Sequence, residues 1–224
     1  MENWLFYIGI PLILGLWAQA KVRSAFGRYS QVRATSGLTG AQAAQEILDA
    51  AQIHDVSIVQ INGMLGDHYD PTQKRLCLST GTYSSPSVAA VGIAAHETGH
   101  AIQHARAYAP LQWRMAIVPA TAFASRILPF VIFGGLFFGM MGLIEVGIIC
   151  YTVLVIFQLV TLPVEYDASR RAKIILNQLG IIQPGAEAAG VNTVLDAAAL
   201  TYVAAFVAAL GNLLWLLSIS SRRR

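Results

Sequence analysis

The chain has 224 residues, of which 55% are hydrophobic and only 12% charged, against roughly 25% charged in an average soluble domain. That balance, with a positive mean hydropathy, marks a mainly α membrane protein. The formal net charge of +3, with no basic stripe interleaved with aromatics, excludes a nucleic-acid partner as the working reading.

Trp4 to Ala20 is the first apolar run, at the short end of the roughly 17 to 25 residues that a spanning helix needs. A cleaved signal peptide is the alternative. Against it, no basic residue precedes the run, whereas Lys21, Arg23, Arg28 and Arg33 follow it. Residues 1–20 are therefore read as a retained transmembrane anchor.

Residues 21–115 form the longest polar stretch. Thr39 and Gln42 stand in capping-box spacing and open a helix that places Ala43, Ala44, Ile47, Leu48 and Ala51 on one face. Val56–Ile61 and Arg75–Ser79 read as strands, with Asn62-Gly63 a turn between them and Asp67–Pro71 a second turn-rich segment. A long apolar helix then begins near Ser84 to Ser87. A small α+β region, a helix and a short sheet, thus precedes that helix.

The helix carries His96-Glu97-Thr98-Gly99-His100. Histidines four apart leave one face of a helix about one turn apart, a separation at which two imidazoles share one tetrahedral zinc ion. Glu97 is rotated off the metal axis, where it reaches a water without being a ligand. Three of the five histidines, His96, His100 and His104, fall within nine residues of otherwise apolar sequence. Imidazoles there need a partner, and an apolar shell excludes bulk water from a metal. The two cysteines, Cys77 and Cys150, lie far apart and suggest neither a disulfide framework nor a cysteine-based metal site.

From Ala116 to Val164 the chain is apolar, interrupted by Arg126 and turning at Gly139 to Gly142. This reads as a transmembrane hairpin over residues 116–164, whose first arm is short unless it continues back past Arg126. Residues 165–196 are polar and helical, closing a first helix at Gly180 and Pro184. Ala197 to Ile219 is the last apolar run, with Ala204, Ala208 and Gly211 as a small-residue face and Asn212 read as bonded to a neighbouring helix. Four spans place eleven of the fifteen Lys and Arg on the side of residues 21–115 and 165–196. The positive-inside bias puts that side in the cytoplasm, although Arg222 to Arg224 pull the other way.

A catalytic zinc needs a third protein ligand and an open position. His104 is two turns beyond His100's predecessor His96, about 12 Å of rise, too far for one ion to join both. Glu165, in Leu162-Pro-Val-Glu-Tyr-Asp-Ala-Ser169, is the better candidate: it begins a helix just after a span, at the membrane surface expected for the zinc helix.

The chain resembles the neutral zinc metallopeptidase family of bacterial membrane proteins, relatives of the heat-shock membrane protease and CAAX-prenyl-protease group. The resemblance rests on Asp67-His68-Tyr69-Asp70-Pro71, Leu78-Ser79, Ala94-Ala95-His96-Glu97-Thr98-Gly99-His100-Ala101-Ile102-Gln103 and Leu162-Pro163-Val164-Glu165-Tyr166-Asp167-Ala168-Ser169, in that order. It implies a zinc-dependent membrane endopeptidase of the bacterial cytoplasmic membrane, with His96, His100 and Glu165 as ligands and Glu97 as base. In the wider relatives an Asp follows the ligand Glu by four positions. Here that position is Ser169, with an Asp at 167, so the group that orients a ligand histidine differs. The expected partners are a protein or peptide substrate, membrane proteins among them, and the lipid bilayer, with oligomerisation left open. His68 or Tyr69 is expected to supply a second oxyanion donor, and strand Arg75–Ser79 to take an extended substrate along its edge. The alternative is a non-hydrolytic membrane scaffold, whose structural zinc would be closed by a fourth side chain such as Cys77.

Overall fold

A computed structural model describes residues 5–222. Trp4, the first residue of the expected anchor run, lies outside the described residues, as do Arg223, Arg224 and the side chain of Arg222 in the terminal arginine cluster. A π-helical turn, Leu5–Gly9, leads into α1 (Ile10–Tyr29). There follow α2 (Gly40–Ala50), β1 (Ser57–Ile61), β2 (His68–Asp70), β3 (Arg75–Ser79), the single turn α3 (Thr80–Tyr83) and α4 (Val88–Ala105). The chain ends in α5 (Ala109–Phe137), α6 (Met141–Gln178) and α7 (Ala186–Arg222). Among the described residues, Leu5–Tyr29, α5, α6 and Ala186–Ser221 are long and apolar enough to cross a membrane.

Two compact units emerge. The first combines residues 5–19, 110–163 and 200–222 of the described chain. Its helices turn large apolar side chains outward, Phe6, Ile13, Phe123, Phe130 and Phe137 among them. Such exposure is untenable over a large area in water and is what hydrocarbon requires. The small-residue face of α7 packs closely: a Cβ on Gly211 would lie 2.2 Å from the Tyr7 carbonyl oxygen. Asn212 instead donates to the Ala208 carbonyl one turn back in its own helix. The hairpin's first arm does run back past Arg126, through Pro119 and Pro129.

The second unit, residues 20–109 and 164–199, carries the polar region. The capping box at Thr39 forms, with the Thr39 hydroxyl accepting from the Gln42 amide and the Gln42 side chain accepting from the Thr39 amide. It fixes the start of α2, whose Ala43, Ala44, Ile47 and Leu48 are buried. Ile47 and Leu48 join Val88, Val91, Ala95, Leu176, Ile182 and Leu195 in one core, so α2, α4, α6 and α7 contribute to it. Ser87 caps α4 by accepting from the Ala90 amide.

Three expectations need correction. Asp67–Pro71 is not only a turn, since His68–Asp70 is a strand pairing antiparallel to β3. The turn comes after it, where the Asp70 carboxylate accepts the Thr72 and Gln73 amides. The sheet order is β1-β3-β2, with β1 parallel to β3. Arg75–Ser79 is therefore the central strand, paired along its length with β1 and over Arg75–Cys77 with β2, and not the edge strand expected to take an extended substrate. Finally, Glu165 does not begin a helix. It lies inside the 38-residue α6, which runs through Pro163. A proline removes one amide donor from a helix, and α6 continues past that loss.

Candidate metal centre

Helix α4 sets His96 and His100 one turn apart on a buried face, with the rings edge to face at 4.9 Å between centroids. Helix α6 brings Glu165, itself 2% exposed, against them. The Glu165 Oε2 lies 3.2 Å from His96 Nε2 and 3.5 Å from His100 Nε2. One donor atom from each of the three residues falls within 4.8 Å of the others. Two imidazole nitrogens and one carboxylate oxygen, buried and convergent, fit a zinc ion in chemistry and in spacing.

Backbone contact makes the approach possible. A Cβ on Gly99, between the two histidines, would lie 2.7 Å from the Ala168 carbonyl oxygen. Only glycine lets α4 and α6 come this close, one turn from Glu165.

Each of the two histidines has a partner on its other nitrogen. His96 Nδ1 lies 3.1 Å from the Ser169 hydroxyl and His100 Nδ1 lies 3.0 Å from Gln103 Oε1. So Ser169, four positions after Glu165, does face a histidine. Asp167 instead accepts from the Gln103 amide and from Arg170 and Arg171. Gln103 carried no sequence signal beyond its place in the matching motif. Its spacing of three from His100 on one helix face was the available clue.

Glu97 is held from outside its helix. The Tyr69 backbone amide on β2 donates to Glu97 Oε2 at 3.1 Å. Burial pushes the Glu97 carboxyl above the usual carboxylate range, against the opposing pull of His96 and His100. The Tyr69 hydroxyl pairs with His104 Nδ1 at 2.9 Å, and burial first, then Asp55 and Asp70, push the phenol up to about 12. His68 is exposed, its Nδ1 2.8 Å from the Gly66 carbonyl. Asp67 accepts the Ser79 amide and hydroxyl, tying the start of β2 to the end of β3. Thus β2 brings Tyr69 to Glu97 by its backbone, while the Tyr69 and His68 side chains are engaged elsewhere. Neither His104 nor Cys77 belongs to the three-residue donor group.

A family profile described as "Putative neutral zinc metallopeptidase" matches residues 4–221. The chain is 47% identical over 210 residues to a protein of Bacillus subtilis (strain 168) named "Putative membrane protease YugP", covering 94% of this chain and 93% of that protein. No solved structure matches. Zinc is the metal in that family's description, and the buried His96, His100 and Glu165 make a group that could hold one. With the profile covering nearly the whole chain, this integral membrane protein belongs to the neutral zinc metallopeptidase family.

Proposed function

We propose that the chain is a membrane endopeptidase that hydrolyses peptide bonds at a centre formed by His96, His100, Glu165 and Glu97. The convergence of three buried donor atoms, with a carboxylate one residue from the first of them, carries this reading. The chemistry of the donor set supports His96, His100 and Glu165 as the zinc ligands. Zinc bound there supplies Lewis acidity, polarising a peptide carbonyl and acidifying a water.

The protein's own groups do the rest. Glu97 accepts the proton of the attacking water at its carboxylate and returns it to the leaving amine nitrogen. The Tyr69 amide engages Oε2 and so fixes the carboxylate's direction. Burial of the ligands excludes bulk water from the reacting atoms. Tyr69 and His68 on β2 are the candidates for the second oxyanion donor, a role for which each side chain would turn from its present partner, His104 or the Gly66 carbonyl. The cytoplasmic face of the bacterial inner membrane is supported by the bias of basic residues described above. Against the scaffold reading, Cys77, the fourth ligand it would call on, is not among the three grouped donors.

Glu97→Gln tests this. It preserves size and removes basicity, so the purified variant should retain about one zinc per chain and cleave an unfolded protein at least about a hundredfold more slowly. Equal cleavage by variant and wild type would remove Glu97 from the mechanism. Zinc-loaded wild type without cleavage of any peptide in a broad library would favour the scaffold.

A further inference from the structure

We propose that Gln103 is a positioning residue that fixes the ring orientation and tautomer of His100, and that it does so because α6 clamps its amide on both sides of Glu165. Gln103 is fully buried and three residues beyond His100 on α4. Its Nε2 lies 2.8 Å from the Val164 carbonyl oxygen and 3.0 Å from Asp167 Oδ2. Val164 immediately precedes Glu165, and Asp167 follows it by two.

The direction of the amide follows from these neighbours. A carbonyl only accepts, and Asp167, paired with Arg170 and Arg171, is an ionised acceptor. Reversing the amide would set oxygen against oxygen at two short contacts. Gln103 therefore turns Nε2 to α6 and Oε1 to His100 Nδ1, 3.0 Å away. An amide oxygen cannot donate, so His100 Nδ1 must carry the hydrogen. In the neutral ring, the form that ligates a metal, the lone pair then sits on Nε2, the nitrogen that faces Glu165. Without an acceptor at Nδ1, the ring is free to turn or to protonate Nε2, and either removes it as a ligand.

Ser169 differs in kind. Its hydroxyl donates or accepts with equal ease, so it holds the His96 ring without choosing a tautomer. Gln103 chooses, and it also joins the helix of the two histidines to the segment that bears the third donor. The inference rests on reading His96, His100 and Glu165 as zinc ligands.

The test is zinc affinity, measured by competition with a chromophoric chelator on full-length protein in detergent, beside the visible spectrum of the cobalt-substituted protein. Gln103→Leu keeps the volume and removes both functions. It should weaken zinc about 10- to 100-fold, the range for lost outer partners of a ligand histidine, and alter the cobalt spectrum. Thr98→Val is the structural control. Thr98 is equally buried on α4, but its hydroxyl donates to the Ala94 carbonyl of its own helix. Its zinc affinity and cobalt spectrum should match wild type. Gln103→Met likewise removes both hydrogen-bonding functions, on an unbranched chain of similar length, and should weaken zinc to the same extent. It carries the test alone if Gln103→Leu does not fold. Wild-type affinity in either Gln103 variant, or an equal loss in Thr98→Val, would overturn the role of Gln103. A wild type that binds no zinc would overturn the metal-site reading as well.

Discussion

Glu165 reaches both histidines from α6, whereas His104, on their own helix, joins neither at the donor group. Glu165→Ala should therefore lose zinc severely and His104→Ala should keep it, measured by elemental analysis of purified protein. The reverse pattern would displace Glu165 as third ligand. Zinc must also displace protons from the imidazoles. Burial alone would lower the His100 pKa, but the hydrogen bond and charge of Glu165 outweigh it and hold the ring above the ordinary histidine value. Protons then compete from a higher pH, so chelator competition should find affinity already falling above about pH 6.5. The metal-free protein follows the opposite sign. A histidine whose folded pKa is raised adds stability below its unfolded value, and that stability disappears as pH rises through the folded value. Spacing made His96, Glu97 and His100 legible in the sequence, because four residues on one helix is a local fact. The partners of their far nitrogens were not legible. Ser169 and Gln103 acquire those roles only when α4 and α6 meet, and that meeting is tertiary.

At the scale of elements, the contact that decides the site is backbone on backbone at Gly99 and Ala168. Gly99→Ala gains helix propensity, about 1 kcal/mol in an exposed helix. It also places a methyl 2.7 Å from a carbonyl oxygen that belongs to α6. No flexible side chain is there to yield, so the helices must separate. Overpacking of this kind costs about 1–3 kcal/mol, and the net loss should appear as a lower unfolding midpoint of the metal-free protein in detergent. An unchanged midpoint with full zinc binding would show that the close approach is dispensable. Tyr69→Phe probes the other element at the site. It removes the hydroxyl but leaves the amide that holds Glu97. Loss of an oxyanion donor costs about 10² to 10³ in kcat, so a drop of that size with zinc intact would assign the role to Tyr69, and a near-normal kcat would leave His68. The strand bearing Tyr69 was hidden because aspartates and a proline bracket it and read as turn formers. Its strand character comes from pairing with β3. The unbroken course of α6 was hidden by Pro163 for a related reason: local propensity marks a boundary that the packed helix passes through.

At the scale of the whole molecule, the question is which side of the membrane holds the chemistry. Four helices suit crossing by length and composition. Of the eleven Lys and Arg assigned to the zinc-bearing side, all but Arg114 fall in the unit made of residues 20–109 and 164–199. Lys and Arg close to the ends of spans resist translocation, and Lys21, Arg23 and Arg28 lie within α1 itself. A cytoplasmic centre is the expected outcome. Gln73 offers the probe, because it is exposed in the turn between β2 and β3 and only its backbone amide is used, by Asp70. With Cys77 and Cys150 first replaced, Gln73→Cys should resist a membrane-impermeant thiol reagent in intact cells and react after lysis. Labelling in intact cells would put the centre outside the cytoplasm and make its substrates extracytoplasmic. The comparison before and after lysis separates a sidedness effect from simple occlusion of the thiol, because an occluded cysteine would stay unlabelled in both.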